Sequence, residues 1–131
     1  MAKKKNIKLD IVNLLDEIQN GKYSNIQLNY YFSKKNYTKK EKMFITNVVN
    51  IVIKNLIYID YLIGKSVRNV KKRKIKQLLR ISVAQLFFME SDNAGVIFEA
   101  GEIAKILNAH QAGFVNAALQ TILKNKEKFD E

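Results

Sequence analysis

Apolar residues recur at helical spacing along almost the whole chain. The first segment places them at Ile7, Ile11, Leu14, Leu15 and Ile18. That spacing is typical of an amphipathic helix with one buried face. Similar patterns predict six further helices, beginning near residues 25, 38, 56, 72, 94 and 111. Because the connections between them are short, neighbouring helices are expected to pack antiparallel. The pattern therefore predicts an all-α bundle of about seven helices.

Local signals mark several helix ends. Asn20-Gly21 ends the first helix, since glycine adopts the left-handed conformation that closes a helix. Thr38 and Glu41 have the spacing of a capping box that opens the third helix. Apolar residues cover more than half of the circumference of this third helix, so we expect it to be the buried central helix. The last residues, 124–131, are nearly all charged and are expected to fray.

Composition narrows the chemistry. The 131 residues suit one domain, and the absence of Pro suits helices. Without Cys, the chain holds no disulfide, no Cys-ligated zinc or iron–sulfur site and no Cys nucleophile. His110 is the one histidine and is expected to be a cap or a surface group. Glu99 and Glu102 are expected to lie on a solvated face, with Glu102 paired to Lys105. No Gly-rich phosphate loop occurs, so we expect no catalytic residue, cofactor or metal in this chain.

Positive charge is the strongest compositional signal. The chain carries 23 Lys and Arg against 12 Asp and Glu, a formal net charge of +11. An excess of this size is typical of proteins with a polyanionic partner, although solvated lysines alone are the alternative. No segment has the roughly 18 apolar residues that span a bilayer, and no secretory signal is visible. We therefore expect a cytoplasmic protein with a nucleic-acid partner and no membrane partner.

The bases concentrate in two places. Between Tyr61 and Met89 the sequence has no acid but eight bases. Three of these recur every fourth residue and form one helical stripe, suited to a phosphate backbone: Lys72, Lys76 and Arg80. A solvated face opposite the core is the alternative. Residues 1–6 form a basic arm, and Lys3, Lys4, Lys5 and Lys8 lead into the first helix. Such arms bind nucleic acid or serve as solubilising tails.

Aromatic residues offer a further possibility for RNA. Four of them lie in or near the predicted second helix: Tyr30, Tyr31, Phe32 and Tyr37. Exposed aromatic rings stack on unpaired bases. The alternative is that these rings form the edge of the core.

Three motifs carry a resemblance to a known family. Residues 112–119 are similar to the G-F-V-N-[AG]-V-L signature of the NusB-like domain family, and residues 79–88 to its L-R-L-x-x-Y-Q-L-L-F helix. Residues 99–105 are similar to its N-E-A-V-E-L-A-K motif. The chain resembles this family from about Ile7 to Leu123, which implies an all-α, RNA-binding domain. Phe98 and Gly101 depart from the family pattern.

Other motifs distinguish branches of the family. Tyr23-Ser24-Asn25, Phe44-Ile45-Thr46 and residues 60–63 are similar to the N-terminal domain of the 16S rRNA cytosine-C5 methyltransferase RsmB (Sun/Fmu). This resemblance implies an accessory domain over residues 7–123 that helps to bind 16S rRNA. Residues 124–131 would then begin a linker to a covalently attached catalytic domain, absent from this chain, that uses S-adenosylmethionine. We therefore expect no enzyme in this chain but a methyltransferase in its parent protein.

Two alternatives stay open. One is a stand-alone NusB-type transcription antitermination factor that binds RNA with a ribosomal protein. The other is a protein-interaction domain that packs on the catalytic domain. By position, the resemblance implies that Lys4, Lys5 and Lys8 contact RNA, with Phe114 and Asn116 nearby. The alternative for the last two is structural, with Phe114 in the core and Asn116 bonded to buried backbone.

Overall fold

Seven α-helices make up most of the part of the chain that the structure describes. The computed structural model describes the backbone of residues 6–129 and the side chains of residues 6–126. The elements are α1 (Ile7–Gln19), α2 (Ser24–Lys34), α3 (Lys39–Lys54), α4 (Leu56–Ser66), α5 (Arg73–Phe88), α6 (Asn93–Leu107), a 3₁₀ turn (Ala109–Gln111) and α7 (Ala112–Phe129). No strand occurs within residues 6–129, and the predicted all-α fold of about seven helices is confirmed.

Capping side chains close the first turns of three helices. The capping box at the start of α3 is confirmed, because Glu41 N–H donates to Thr38 Oγ1 at 3.1 Å and Thr38 N–H donates to Glu41 Oε1 at 2.7 Å. Asn6 and Asp92 cap α1 and α6 by accepting from the backbone amide three residues on. Each cap contributes about 1 kcal/mol. Gly21 follows α1 with a φ of +102°, as its predicted role in ending the helix requires.

The centre of the molecule is occupied by α5, and the expectation that α3 is the central helix is wrong. Every residue from Gln77 to Leu86 is buried, and α5 packs against α1, α3, α4, α6 and α7. Helix α3 buries a single stripe, consisting of Ile45, Val48, Val49 and Val52, while Met43 and Ile53 are exposed. Ser82 and Ala84 are fully buried there, although they add little to the apolar pattern of the sequence.

Helix α7 is longer than expected, and its last turns are tied to the rest of the bundle. Asn125 Nδ2 donates to Ser66 Oγ at 3.0 Å, at the end of α4. Lys126 Nζ donates to the backbone oxygen of Leu86 at 3.0 Å. The helix continues to Phe129.

A sharp bend separates α3 from α4. The two helices meet at an angle of 77°, which lets α4 pack against both α5 and α7. Within residues 6–129, no single helix is both long and apolar enough to cross a membrane. Among the described helices, only α3 and α4 taken together, across their bend, have that length and apolar composition.

Candidate nucleic-acid interface

The predicted basic arm reaches the structure only at Lys8, since Lys4 and Lys5 lie outside the described residues. Lys8 is 2% exposed. Its Nζ donates to the Val96 backbone oxygen at 3.4 Å and lies 3.9 Å from Glu99 Oε1. Burial disfavours the charged form and lowers the pKa of Lys8 to about 8, against the opposing effect of the Glu99 carboxylate. Lys8 therefore joins α1 to α6. It does not belong to an exposed basic arm, as the sequence analysis expected.

The predicted stripe on α5 turns from solvent into the protein. Lys72 is exposed and Lys76 is half-buried, whereas Arg80 is buried. Arg80 Nε and Nη2 each donate at 2.8 Å to one carboxylate oxygen of Asp60 on α4. A paired fork of this kind is among the stronger ionic contacts in proteins. The expectation of three unopposed cations is therefore wrong at Arg80, because that part of α5 is the centre of the bundle.

Exposed cations are concentrated just before this buried stretch. We call this cluster the α5 basic segment, and its members are Arg68, Lys71, Lys72, Arg73 and Lys74, all exposed. Arg73 also contacts α1, because its Nε and Nη2 donate to the two carboxylate oxygens of Asp16 at 3.1 and 2.8 Å. The guanidinium holds the segment against α1 while its side chain stays 68% exposed.

A second group of lysines, not singled out by the sequence analysis, surrounds the connection between α2 and α3. We call it the α2–α3 basic segment, and its exposed members are Lys34, Lys35, Lys39, Lys40 and Lys42. The sequence signal was available, since five lysines occur within nine residues that contain one acid. Lys35 Nζ donates to Asp10 Oδ1 at 2.6 Å, and the Tyr37 hydroxyl donates to Asp10 Oδ2 at 2.6 Å. This segment is thereby also held against α1.

The two basic segments meet the same helix. Their carboxylate partners, Asp10 and Asp16, are six residues apart on α1, about 9 Å along the helix axis and about 120° around it. Both carboxylates are buried. Each holds a base from a different part of the chain, so α1 gathers cations that lie more than 30 residues apart in sequence. Spaced cations of this kind suit the phosphates of a nucleic-acid backbone.

The family signature in α7 borders a groove that neither basic segment lines. The groove has a volume of about 440 Å³ and lies between α6 and the start of α7. Phe98 is 70% exposed at its edge, and no atom lies within 4 Å of the position a Cβ would occupy on Gly101. Both departures from the family pattern therefore shape this groove.

Phe114 and Asn116 have different surroundings. Phe114 is half-buried and packs against the core, in agreement with its structural alternative. Asn116 is exposed and lines the groove, so the alternative that it bonds buried backbone is wrong. Contact of either residue with RNA stays a prediction.

The remaining candidates for chemistry are surface groups. Lys105 Nζ donates to Glu102 Oε1 at 3.2 Å, which confirms the predicted surface pair. His110 is exposed in the 3₁₀ turn. Among the described residues, no three His, Asp or Glu side chains are grouped so that they could hold a metal ion.

Comparison with known proteins relates the chain to one family. The model of the NusB family matches residues 5–124. The transcription antitermination protein NusB of Campylobacter jejuni (strain RM1221) is 25% identical over 132 residues, which cover 97% of this chain and 100% of that protein. The probable ribosomal RNA small subunit methyltransferase B of Bacillus subtilis (strain 168) is 33% identical over 109 residues. That match covers 79% of this chain but 24% of the Bacillus protein, so the chain spans about a quarter of that relative's length.

A solved structure has the same fold. It is a crystal structure of the antitermination factors NusB and NusE in complex with dsRNA, and the matched chain superimposes with a TM-score of 0.80 at 22% sequence identity. The match covers 90% of this chain and 93% of the other.

Proposed function

Because the chain belongs to the NusB family, we propose that it is an RNA-binding factor of the NusB type that acts in transcription antitermination in the cytoplasm. The proposal follows the alternative in the sequence analysis rather than the methyltransferase domain. Its support is the extent of similarity, since the Campylobacter NusB protein matches along its whole length. The like-folded complex contains RNA and a second protein, NusE. We accordingly propose RNA and a NusE-like protein as partners.

The observation that carries RNA binding is the gathering of two exposed basic segments on α1. The α5 basic segment contacts Asp16, and the α2–α3 basic segment contacts Asp10. The remaining lysines of both segments are exposed and available to phosphates. Lys4, Lys5, Lys76, Phe114 and Asn116 remain further proposed contacts. Arg80 and Lys8 are not proposed as contacts, because Asp60 already occupies the Arg80 guanidinium and Lys8 is buried.

Salt dependence tests the proposal directly. A labelled RNA carrying a single-stranded stretch is titrated with the protein at several salt concentrations. Six or more phosphate contacts would weaken binding at least ~1,000-fold between about 50 and 200 mM salt. An affinity that is undetectable at the lowest salt would contradict RNA binding by this chain. An affinity that is unchanged by salt would contradict the role of the basic segments.

A second candidate is the accessory domain of a 16S rRNA methyltransferase. The observation that favours it is the higher identity to the Bacillus subtilis enzyme. The size of the native protein distinguishes the candidates. An antibody raised against this chain would detect a polypeptide several times longer in source cells if the methyltransferase candidate is correct. It would detect a polypeptide of about this length if the antitermination factor is correct.

A further inference from the structure

A small cavity lies between α1 and the end of α2, beside the α2–α3 basic segment. Its volume is about 290 Å³, and it is lined by Asp10, Asn13, Tyr30, Tyr31, Lys34 and Lys35. That size is at the lower end of ligand pockets, which begin at about 300 Å³. The cavity therefore suits one ring system rather than an extended ligand.

One of its walls carries an unsatisfied acceptor. Asn13 Oδ1 is buried and accepts no hydrogen bond from the described residues. Buried polar atoms are nearly always bonded, so such an atom calls for a physical explanation. Asn13 also lines the cavity, and because the terminal torsion of asparagine is broad, its amide can rotate toward a bound donor. An amide group reads the hydrogen-bonding edge of a nucleobase well.

An aromatic ring is held at the edge of the cavity. Tyr30 is 53% exposed. Its ring meets the half-buried ring of Tyr31 edge to face, with centroids 6.1 Å apart and planes at 72°. Burial and the nearby Glu17 carboxylate raise the pKa of Tyr31. A partly exposed ring with a fixed neighbour provides a stacking surface for a base.

The charge beside this ring is positive. The Asp10 carboxylate is engaged by Lys35 Nζ and the Tyr37 hydroxyl, each at 2.6 Å. Lys34 Nζ lies over the Tyr30 ring, 5.8 Å from its centroid. No ion pair joins Lys34 to a carboxylate among the described residues, so its charge is available to an external anion. An aromatic ring, an amide and a cation within one cavity match the three parts of a nucleotide.

We propose that this cavity binds one unpaired nucleotide of an RNA strand. The base stacks on Tyr30, an N–H on its edge donates to Asn13 Oδ1, and the adjoining phosphate contacts Lys34. The proposal rests on the proposed function, because bound RNA supplies the nucleotide. A free nucleoside monophosphate presents the same chemistry, and the experiment below separates the two sources. The neighbouring lysines 39, 40 and 42 favour a polyanionic strand over a peptide.

The test measures single-stranded oligoribonucleotide binding by variants of the whole chain. Tyr30→Ala is expected to weaken binding about tenfold, since stacking is lost. Tyr30→Phe keeps the ring and is expected to bind like the original protein. Asn13→Leu removes the acceptor without breaking a hydrogen bond seen in the structure, and is expected to reduce discrimination between bases. Helical content by circular dichroism verifies that each variant folds.

Tyr61→Ala is the matched control. Tyr61 is 51% exposed, and Lys65 Nζ lies 5.4 Å from its ring centroid, so it reproduces the ring and cation of Tyr30 and Lys34. Tyr61 does not line the α1–α2 cavity. Its replacement is expected to leave binding unchanged. An equal loss with Tyr30→Ala and Tyr61→Ala would overturn the cavity as a specific site.

Two further outcomes separate the proposals. If Tyr30→Ala and Asn13→Leu bind RNA like the original protein, the nucleotide site is overturned while the proposed function stands. A titration with AMP, CMP, GMP and UMP tests whether the ligand is a free nucleoside monophosphate. Binding of a mononucleotide that requires Tyr30, without binding of RNA, would overturn the RNA strand as the ligand and contradict the proposed function. Absence of both kinds of binding would overturn both proposals.

Discussion

The two ends of α5 show how differently one run of bases is used. Lys72 and Lys74, at its start, are exposed to solvent. Arg80, two turns later, is buried and bonded to Asp60. The sequence presents all of them in the same acid-free stretch, so charge spacing on a helix does not distinguish a ligand-binding cation from a structural one. What distinguishes them is the element that packs above each residue.

The largest effect on stability is expected from replacing Arg80, the buried cation of α5. Arg80→Met leaves Asp60 without its partner, and is expected to lower the free energy of unfolding by about 2–3 kcal/mol. The figure is below that for a fully buried pair because the Asp60 side chain is 32% exposed. Urea denaturation measures it. Lys72→Met is the control, and equal losses in the two variants would contradict the different roles of the two ends.

Lys8 provides a second buried cation whose effect depends on pH. Its pKa falls from 10.5 to about 8 in the folded protein, so between these values the unfolded chain binds more protons. Stability is therefore expected to rise with pH above about 8, on the order of 2 kcal/mol by pH 10. Urea denaturation across this range measures the rise. Lys8→Met is expected to remove this part of the pH dependence, and an identical profile in both proteins would contradict the assignment.

The exposed end of α5 is expected to affect RNA binding rather than folding. The double variant Lys72→Glu with Lys74→Glu should weaken RNA binding about tenfold, or about 1.4 kcal/mol. Its free energy of unfolding should change by less than about 0.5 kcal/mol, because negative charge is favourable at a helix N-terminus. Titration with labelled RNA and urea denaturation measure the two quantities.

The control carries the same change in net charge. Lys54→Glu with Lys124→Glu alters two exposed lysines outside both basic segments. This variant should retain more RNA affinity than the Lys72 and Lys74 variant. Equal losses would show that net charge alone, and not the position of the lysines, determines binding.

The smallest effect on stability is expected from an ion pair whose two side chains are both exposed. Lys105 and Glu102 have side chains that are 61% and 49% exposed. Glu102→Gln is therefore expected to reduce the free energy of unfolding by only about 0.2–0.5 kcal/mol. Thermal or urea denaturation at low and high salt measures this difference. A loss comparable to that of Arg80→Met would show that burial does not separate the two kinds of ion pair.

Local features were predicted well because neighbouring residues in the sequence produce them. The number of helices follows from apolar spacing, and the capping box of Thr38 and Glu41 needs only residues three apart. The central helix was predicted wrongly, as α3 instead of α5. Ser82 and Ala84 reduce the apparent hydrophobicity of α5, yet both are fully buried where other helices pack around it.

The candidate site was predicted only in part for the same reason. The α5 basic segment was recognised from its lack of acids, while the α2–α3 basic segment was missed. Its connection to the site depends on Lys35 bonding Asp10, 25 residues away. The cavity at Asn13 and Tyr30 likewise needs two helices to be placed side by side. No local pattern in either helix indicates that these residues meet.

By itself, the sequence determined an all-α chain with a large excess of positive charge and the motifs of one family. Helical periodicity and composition can be read directly from the sequence, so they do not depend on knowing the fold. Only the tertiary structure decided which cations are available to a ligand. Lys8 is buried because residues 88 positions later pack over it, and Arg80 because α4 supplies Asp60. The burial of a charge depends on its neighbours in space, and these come from distant parts of the chain.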